Sequence, residues 1–242
     1  MHDPGMSRAT ALPPVDVAPG ISYLERYDDS GWGWNIIVVQ LPGGGTLVHS
    51  PSWLDDRTLE RVAELGTPRI LFAPNHFHFA TLHRFQARWP EALAVASPRA
   101  LPRLAKKGVR GLVPIDAARP LLPTGAEFHQ PDGTKTGETW LSLPRAGGTT
   151  LLVCDAFFNV VRPTSGAFGL VLRALKVVPG LRISTTYRML GVSDVAVCRA
   201  STISLVRAIA PTEVAFSHGE MLRGPDCGDR LVGAVEARWP AG

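Results

Sequence analysis

The amino-acid sequence predicts an α/β fold, a four-layer αββα sandwich of two mixed sheets. Three observations predict it. Turn-bounded strand runs open the chain, strands then alternate with helices at an interval that suits βαβ units, and a second group of strands is followed by a helix–strand–helix close. Two sheets packed face to face with helices outside accommodate that order.

The elements follow in sequence. Residues 1–19, with Pro4, Pro13, Pro14 and Pro19, read as a loosely ordered arm, and 20–242 as a single domain without internal repeats. Ile21 to Tyr27, Trp34 to Gln40 and Gly45 to His49 are strand-like runs. Asp28 to Gly31 and Pro42 to Gly44 separate them with turn chemistry, so the three form an antiparallel meander. Residues 52–65, with apolar Leu54, Leu59, Val62 and Ala63 and a stop at Gly66, read as a helix with Ser52 or Asp55 near the start as a cap. Arg69 to Ala73 is a short buried strand that ends at Pro74 and Asn75. A helix over about 80–89, a strand at Ala92 to Ala96 and a helix over about 98–107 continue the alternation, which implies partly parallel pairing. Glu127 to His129, Glu138 to Leu143 and Thr149 to Cys154 return to strands, joined by turns at Asp132-Gly133 and Gly147-Gly148. A helix over 194–210, a strand at Glu213 to Phe216 and a helix from about 227 to 237 complete the chain.

Composition narrows the function classes. With 45% hydrophobic and 19% charged residues, the chain buries a core and is not a disordered protein. Its 24 glycines and 21 prolines are scattered, which makes turns rather than a periodic fibre. No apolar run approaches the roughly 20 residues that span a bilayer, and residues 1–20 lack the apolar core of a secretory signal. The expectation is a cytoplasmic chain with no membrane partner. The formal charge of +4 invites a nucleic-acid reading, but the basic residues are dispersed. Their densest group, Arg103, Lys106, Lys107 and Arg110, has no interleaved aromatics on which bases would stack, so no nucleic-acid partner is expected. Cys154, Cys198 and Cys227 have neither metal-pair nor disulfide spacing, and the first two read as buried thiols.

The histidines carry the functional signal. His76 and His78 follow directly on the strand 69–73, and two imidazoles so placed can face one ion. Asp155 ends the very apolar strand that begins at Thr149; a carboxylate there is costly unless paired or bound to a cation. His218 follows the apolar strand 213–216, and Gly219 lets the backbone turn sharply behind it. Singly, each has an ordinary structural explanation: a hydrogen-bonded turn, a helix cap, a histidine satisfied by a carbonyl. Together they put a histidine or aspartate just past three hydrophobic strands, and the ends of strands from one sheet cluster in space.

This arrangement resembles the metallo-β-lactamase-like superfamily over roughly residues 21–220. The meander with Gly43-Gly44-Gly45, the loop around His76 and His78, the segment 133–137, the strand ending in Asp155, and Ser217-His218-Gly219 carry the resemblance. It implies metal ligands at His76, His78, Asp155 and His218, with Asp155 and His218 also serving catalysis. It also implies departures: Ala80 and Thr81 stand where the superfamily has a metal-binding aspartate and histidine, and Thr134 stands for a further histidine, with His129 nearby. A two-metal centre is therefore not expected. The expectation is one divalent ion, zinc before iron or manganese, or no metal at all if the site is vestigial. His49, Asn75, His83, His129 and Thr134 are the candidates for supporting positions, and Phe157, Phe158 and Phe168 for a pocket wall.

Three functions fit. The first is a single-ion hydrolase acting on an ester, thioester or lactone. The second is a metal-free, inactive member of the fold that binds a small ligand or a protein partner. The third is an oxidoreductase using iron at the same ligands, which calls for a fuller ligand set than this chain has. Hydrolysis of β-lactams is not expected.

Overall fold

Strand parity decides the layers. The computed structural model describes residues 13–27, 32–52, 56–162 and 164–240. Its first sheet contains β1 (Val15–Ala18), β2 (Ile21–Tyr27), β3 (Gly33–Gln40), β4 (Thr46–His49), β5 (Pro68–Ala73), β6 (Leu93–Ala96) and β7 (Val113–Pro114), in that spatial order. β1 to β4 pair antiparallel, and β4 to β7 pair parallel. In the second sheet the order is β14 (Leu222–Arg223), β13 (Glu213–Phe216), β10 (Gly148–Val153), β9 (Trp140–Arg145) and β8 (Glu127–His129), with β10 and β13 parallel. A separate ribbon pairs β11 (Phe158–Val160) with β12 (Gly180–Arg182).

Alternate residues of each strand face opposite layers. Ile37, Leu47, Ile70, Phe72 and Val95 of the first sheet meet Phe128, Leu141, Leu143, Leu152 and Ala215 of the second in one buried layer. Val38, Val48, Leu71 and Ala96 point the other way, against α1 (Asp56–Leu65), α2 (Leu82–Arg88) and α3 (Leu101–Lys106) through Val62, Phe85 and Leu104. Leu151, Val153, Val214 and Phe216 likewise face α5 (Val195–Ile209) and α6 (Cys227–Arg238) through Val206, Leu231 and Val235. The architecture is the predicted αββα sandwich. α4 (Gly166–Ala174) stands apart from these layers beside the ribbon, where Leu172 packs with Phe158 and Val160.

The strands of the meander and the helices 82–88, 195–209 and 227–238 fall where the sequence predicts them. Asp194 caps α5 by accepting the Val197 N–H at 3.0 Å. Elsewhere the structure differs. Residues 15–18, expected to be part of a loose arm, form an edge strand against β2, with Ser22 Oγ donating to Asp16 Oδ1 at 2.6 Å; residues 1–12 lie outside the described residues. Ser52 donates to the Ser50 carbonyl at 3.1 Å instead of capping α1, and the alternative cap Asp55 lies outside the described residues, as does Leu54. β9 begins at Trp140, two residues later than expected, which leaves Glu138 in the preceding loop. The ribbon, α4 and a π-helical turn at Tyr187–Gly191 occupy a stretch for which the sequence predicts no element. That stretch is broken by prolines and glycines and has no sustained period. No helix among the described residues is long and apolar enough to cross a membrane.

Candidate metal centre

Three strand ends build the site, and they come from both sheets, β5 from the first and β10 and β13 from the second, rather than from one sheet as expected. After β5, Pro74 leads into Asn75, which is fully buried. Its Oδ1 accepts the backbone N–H groups of Phe77 (2.8 Å) and His78 (3.2 Å) and so turns the chain sharply. Its Nδ2 donates to Asp155 Oδ2 at 2.7 Å and to Glu138 Oε2 at 2.9 Å. β10 delivers Asp155, and its parallel neighbour β13 delivers His218. Gly219 has φ +104°, and a Cβ there would collide with the Asn159 carbonyl, so glycine is required behind the histidine.

His78, Asp155 and His218 converge. His78 Nε2 lies 3.1 Å and His218 Nε2 3.3 Å from the same Asp155 Oδ1, and the two Nε2 atoms are 3.3 Å apart. The far nitrogen of each ring is also held: His78 Nδ1 is 2.5 Å from Ser50 Oγ, and His218 Nδ1 is 3.3 Å from the Gly33 carbonyl. The His218 ring lies against Trp32 and Phe158, with centroids at 5.1 and 4.9 Å and interplanar angles of 22° and 20°, and those two rings are themselves 5.9 Å apart. The three rings form one aromatic cluster, which restricts the plane of the imidazole.

The electrostatics follow from burial and from this crowding. Burial alone would raise the Asp155 carboxyl, but the His78 charge and hydrogen bonds from both histidines hold it well below the usual range. Burial opposes a charge on His78, yet Asp155 beside it raises its pKa above the ordinary value. His218 is lowered, chiefly by burial. The Gly33 carbonyl can only accept, so a proton on His218 Nδ1 is the form that satisfies that contact. One proton on His78 satisfies part of this cluster; a cation satisfies all three atoms. Two imidazoles with their outer nitrogens held, plus one carboxylate oxygen, are a donor set that fits a divalent ion such as zinc.

The other sequence candidates are placed differently. His76 does not join the group. Its N–H donates to the Thr136 carbonyl at 3.1 Å, its carbonyl accepts from Lys107, and its ring lies against Phe77. Burial together with Arg103 and Lys107 lowers it to about 4. Both of its ring nitrogens are buried without a hydrogen-bond partner, and they lie outside the group formed by His78, Asp155 and His218. His49 is buried on the inter-sheet face of β4, edge-on to Phe72, and is lowered to about 3 by burial and by His78. His83 is exposed on α2, His129 bonds Ser142 Oγ at 2.8 Å on β8, and Thr134 donates to the Pro131 carbonyl; none hydrogen-bonds the triad. Phe158 walls the site, whereas Phe157 packs on Trp140 in the core and Phe168 is exposed.

Glu138 is the residue that the sequence reading missed. It is buried beside Asp155 and Cys154, accepts from Asn75 and from the Ala156 N–H at 3.1 Å, and is pushed up to about 7 by burial and then by the Asp155 charge. An acid at the start of an otherwise apolar strand run was its only signal. A cavity of about 190 Å³ opens over the triad, lined by Phe77, His78, Asp155, Phe158, Tyr187 and Leu190 among others. A larger cleft of about 640 Å³, near Arg145, Glu213 and Arg223, contains no member of the triad.

Solved structures share this architecture. The DIM-1 metallo-β-lactamase matches with a TM-score of 0.66 at 11% identity, covering 96% of this chain and all of that one. FIM-1 from Pseudomonas aeruginosa, in a mono-zinc form, matches with 0.61 at 12% identity, covering 96% and 98%. Rubredoxin oxygen:oxidoreductase from Desulfovibrio gigas matches with 0.60 at 11% identity, covering 92% of this chain and 61% of that one. The chain therefore has the metallo-β-lactamase fold. No family model matches its sequence, and neither does any curated protein.

Proposed function

We propose that this chain is a metal-dependent hydrolase that holds one zinc-type ion at His78, Asp155 and His218 and cleaves an ester, thioester or lactone bearing an apolar group. The convergence of two Nε2 atoms and one Oδ1, at 3.1 to 3.3 Å from one another, carries this reading. Three protein donors leave the open fourth position that catalytic zinc sites keep. The ion would supply Lewis-acid polarisation and lower the pKa of water to about 7. The chain's own residues do the rest. Asn75 orients Asp155 through Oδ2, Ser50 and Gly33 fix the rings, and Trp32 with Phe158 packs an aromatic wall against His218. Phe77, Phe158, Tyr187 and Leu190 offer an apolar wall to the substrate. FIM-1, described in a mono-zinc form, is a protein of this fold that holds a single ion.

The test is metal content by plasma mass spectrometry after incubation with zinc, iron or manganese, followed by turnover of aryl esters and thioesters. About one equivalent of zinc, lost together with turnover in His78→Ala and Asp155→Ala while the circular dichroism is unchanged, is the expected result. Protein that takes up no ion under any condition overturns the reading. It leaves the metal-free binding protein that Ala80 and Thr81 favour. Preferential iron uptake with oxygen consumption would favour the oxidoreductase.

A further inference from the structure

Residues 156–193, which run from the aspartate of the site to the start of α5, contain Arg162, Arg173, Lys176, Arg182 and Arg188 and no Asp or Glu. The chain's formal charge of +4 is thus concentrated here, and the remaining residues are close to neutral. All five basic residues are exposed. The same segment leaves large apolar side chains in solvent. α4 buries only Gly169 and Leu172 and exposes Phe168, Leu170 (66%) and Val171, while the turn at Tyr187–Gly191 exposes Met189 (65%) and Leu190. The Thr185 N–H donates to the Leu175 carbonyl at 2.9 Å, which ties the end of α4 to the approach to that turn. Leu190 and Phe77 also line the cavity over the triad, so the apolar surface continues into the mouth of the site. Further cations border it: Lys107 Nζ lies 5.4 Å from the Phe77 ring centre, and Lys135 Nζ donates to the Met189 carbonyl at 3.0 Å.

We infer that this face seats the protein on an anionic lipid surface, with α4 and the turn inserting apolar side chains at the interface and the cavity opening towards the lipid. The apolar residues gain by leaving water, and lysines and arginines gain from the negative surface potential. The missing acids select the occupant. A second copy docking this face on itself would set five positive charges against five, which repels. The earlier expectation of no membrane contact rested on the lack of a spanning run and does not address a surface contact. The inference is independent of whether the triad binds metal.

Co-sedimentation of the full chain with phosphatidylcholine vesicles, with and without about 30% phosphatidylglycerol, tests it. The expected result is binding at least tenfold tighter to the anionic vesicles, weakened by high salt. The double variant Leu170→Asp/Met189→Asp should lose at least tenfold, and so should Lys176→Glu/Arg182→Glu, with unchanged thermal melts. If the first variant unfolds, the second still decides, because it removes no buried contact. Absence of binding to anionic vesicles overturns the inference, as does equal binding by the folded variants. A dimer in sedimentation equilibrium that Leu170→Asp dissolves would overturn it too, in favour of a second copy.

Discussion

Between the parallel strands β5 and β6 the first half of the sandwich places residues 74–92, used for one tight loop and α2. Between the parallel strands β10 and β13 the second half places 154–212, which hold the ribbon, α4, the π-helical turn and α5. The helices that both halves have, α1 to α3 in one and α5 and α6 in the other, bury apolar residues against their sheet. α4 has no counterpart and leaves most of its apolar residues outside. The shared part of the two halves is therefore explained by burial and the added part is not; the added part stands at the mouth of the site. Stability should reside in the first and recognition in the second.

Substitutions can break that division. Phe72→Ala or Leu152→Ala, in the layer between the sheets, should cost about 3–5 kcal/mol in denaturant unfolding. Leu170→Ala on α4 should change stability by no more than about 0.5 kcal/mol. Equal losses would show that α4 is covered in solution and that the halves are not built differently. A smaller effect is expected of Asn75→Ala, which leaves the buried carboxylates of Asp155 and Glu138 without their shared donor. It should cost about 1–3 kcal/mol by the same measurement.

Two weaker tests sharpen the contrast. Ser50→Ala removes the partner of His78 Nδ1 and should weaken metal binding by about 10- to 100-fold in a competition titration, with little change in melting. His129, on the edge strand β8 of the second sheet, serves as a control outside the added segment. Burial lowers its pKa, so the folded form stays neutral where the unfolded chain takes up a proton. Its contribution is thus present above the ordinary histidine value and is lost as pH falls below it. His129→Gln should make the urea midpoint less sensitive to acidification through the ordinary histidine range. No change in that sensitivity would remove His129 from the account.

The fold was legible wherever residues alternate. Leu47 and Val48, or Leu151 and Leu152, are successive apolar residues that face different layers, and a strand buried on both sides reads as a continuous apolar run. The ribbon and α4 were not legible, because Gly166, Gly169, Pro179 and Gly180 interrupt any period. At the site, position just past a strand end pointed to His78, Asp155 and His218. The same reasoning grouped His76 with them, and the structure leaves it outside their cluster, in a loop that is turned by Asn75 side-chain bonds. It overlooked Glu138, whose role depends on a neighbour, Asn75, that lies 63 positions away.

The sequence by itself determined the long apolar runs that become the core strands and the polar residues that end them, since local periodicity records how a residue is buried. Which strands lie side by side was decided only in the tertiary structure. β13 beside β10, and both packed against the first sheet, bring His218 to His78 across 140 positions of chain. Local pattern encodes a burial state but not the identity of the neighbour. A site assembled from three strand ends is therefore defined only when the long-range packing is complete.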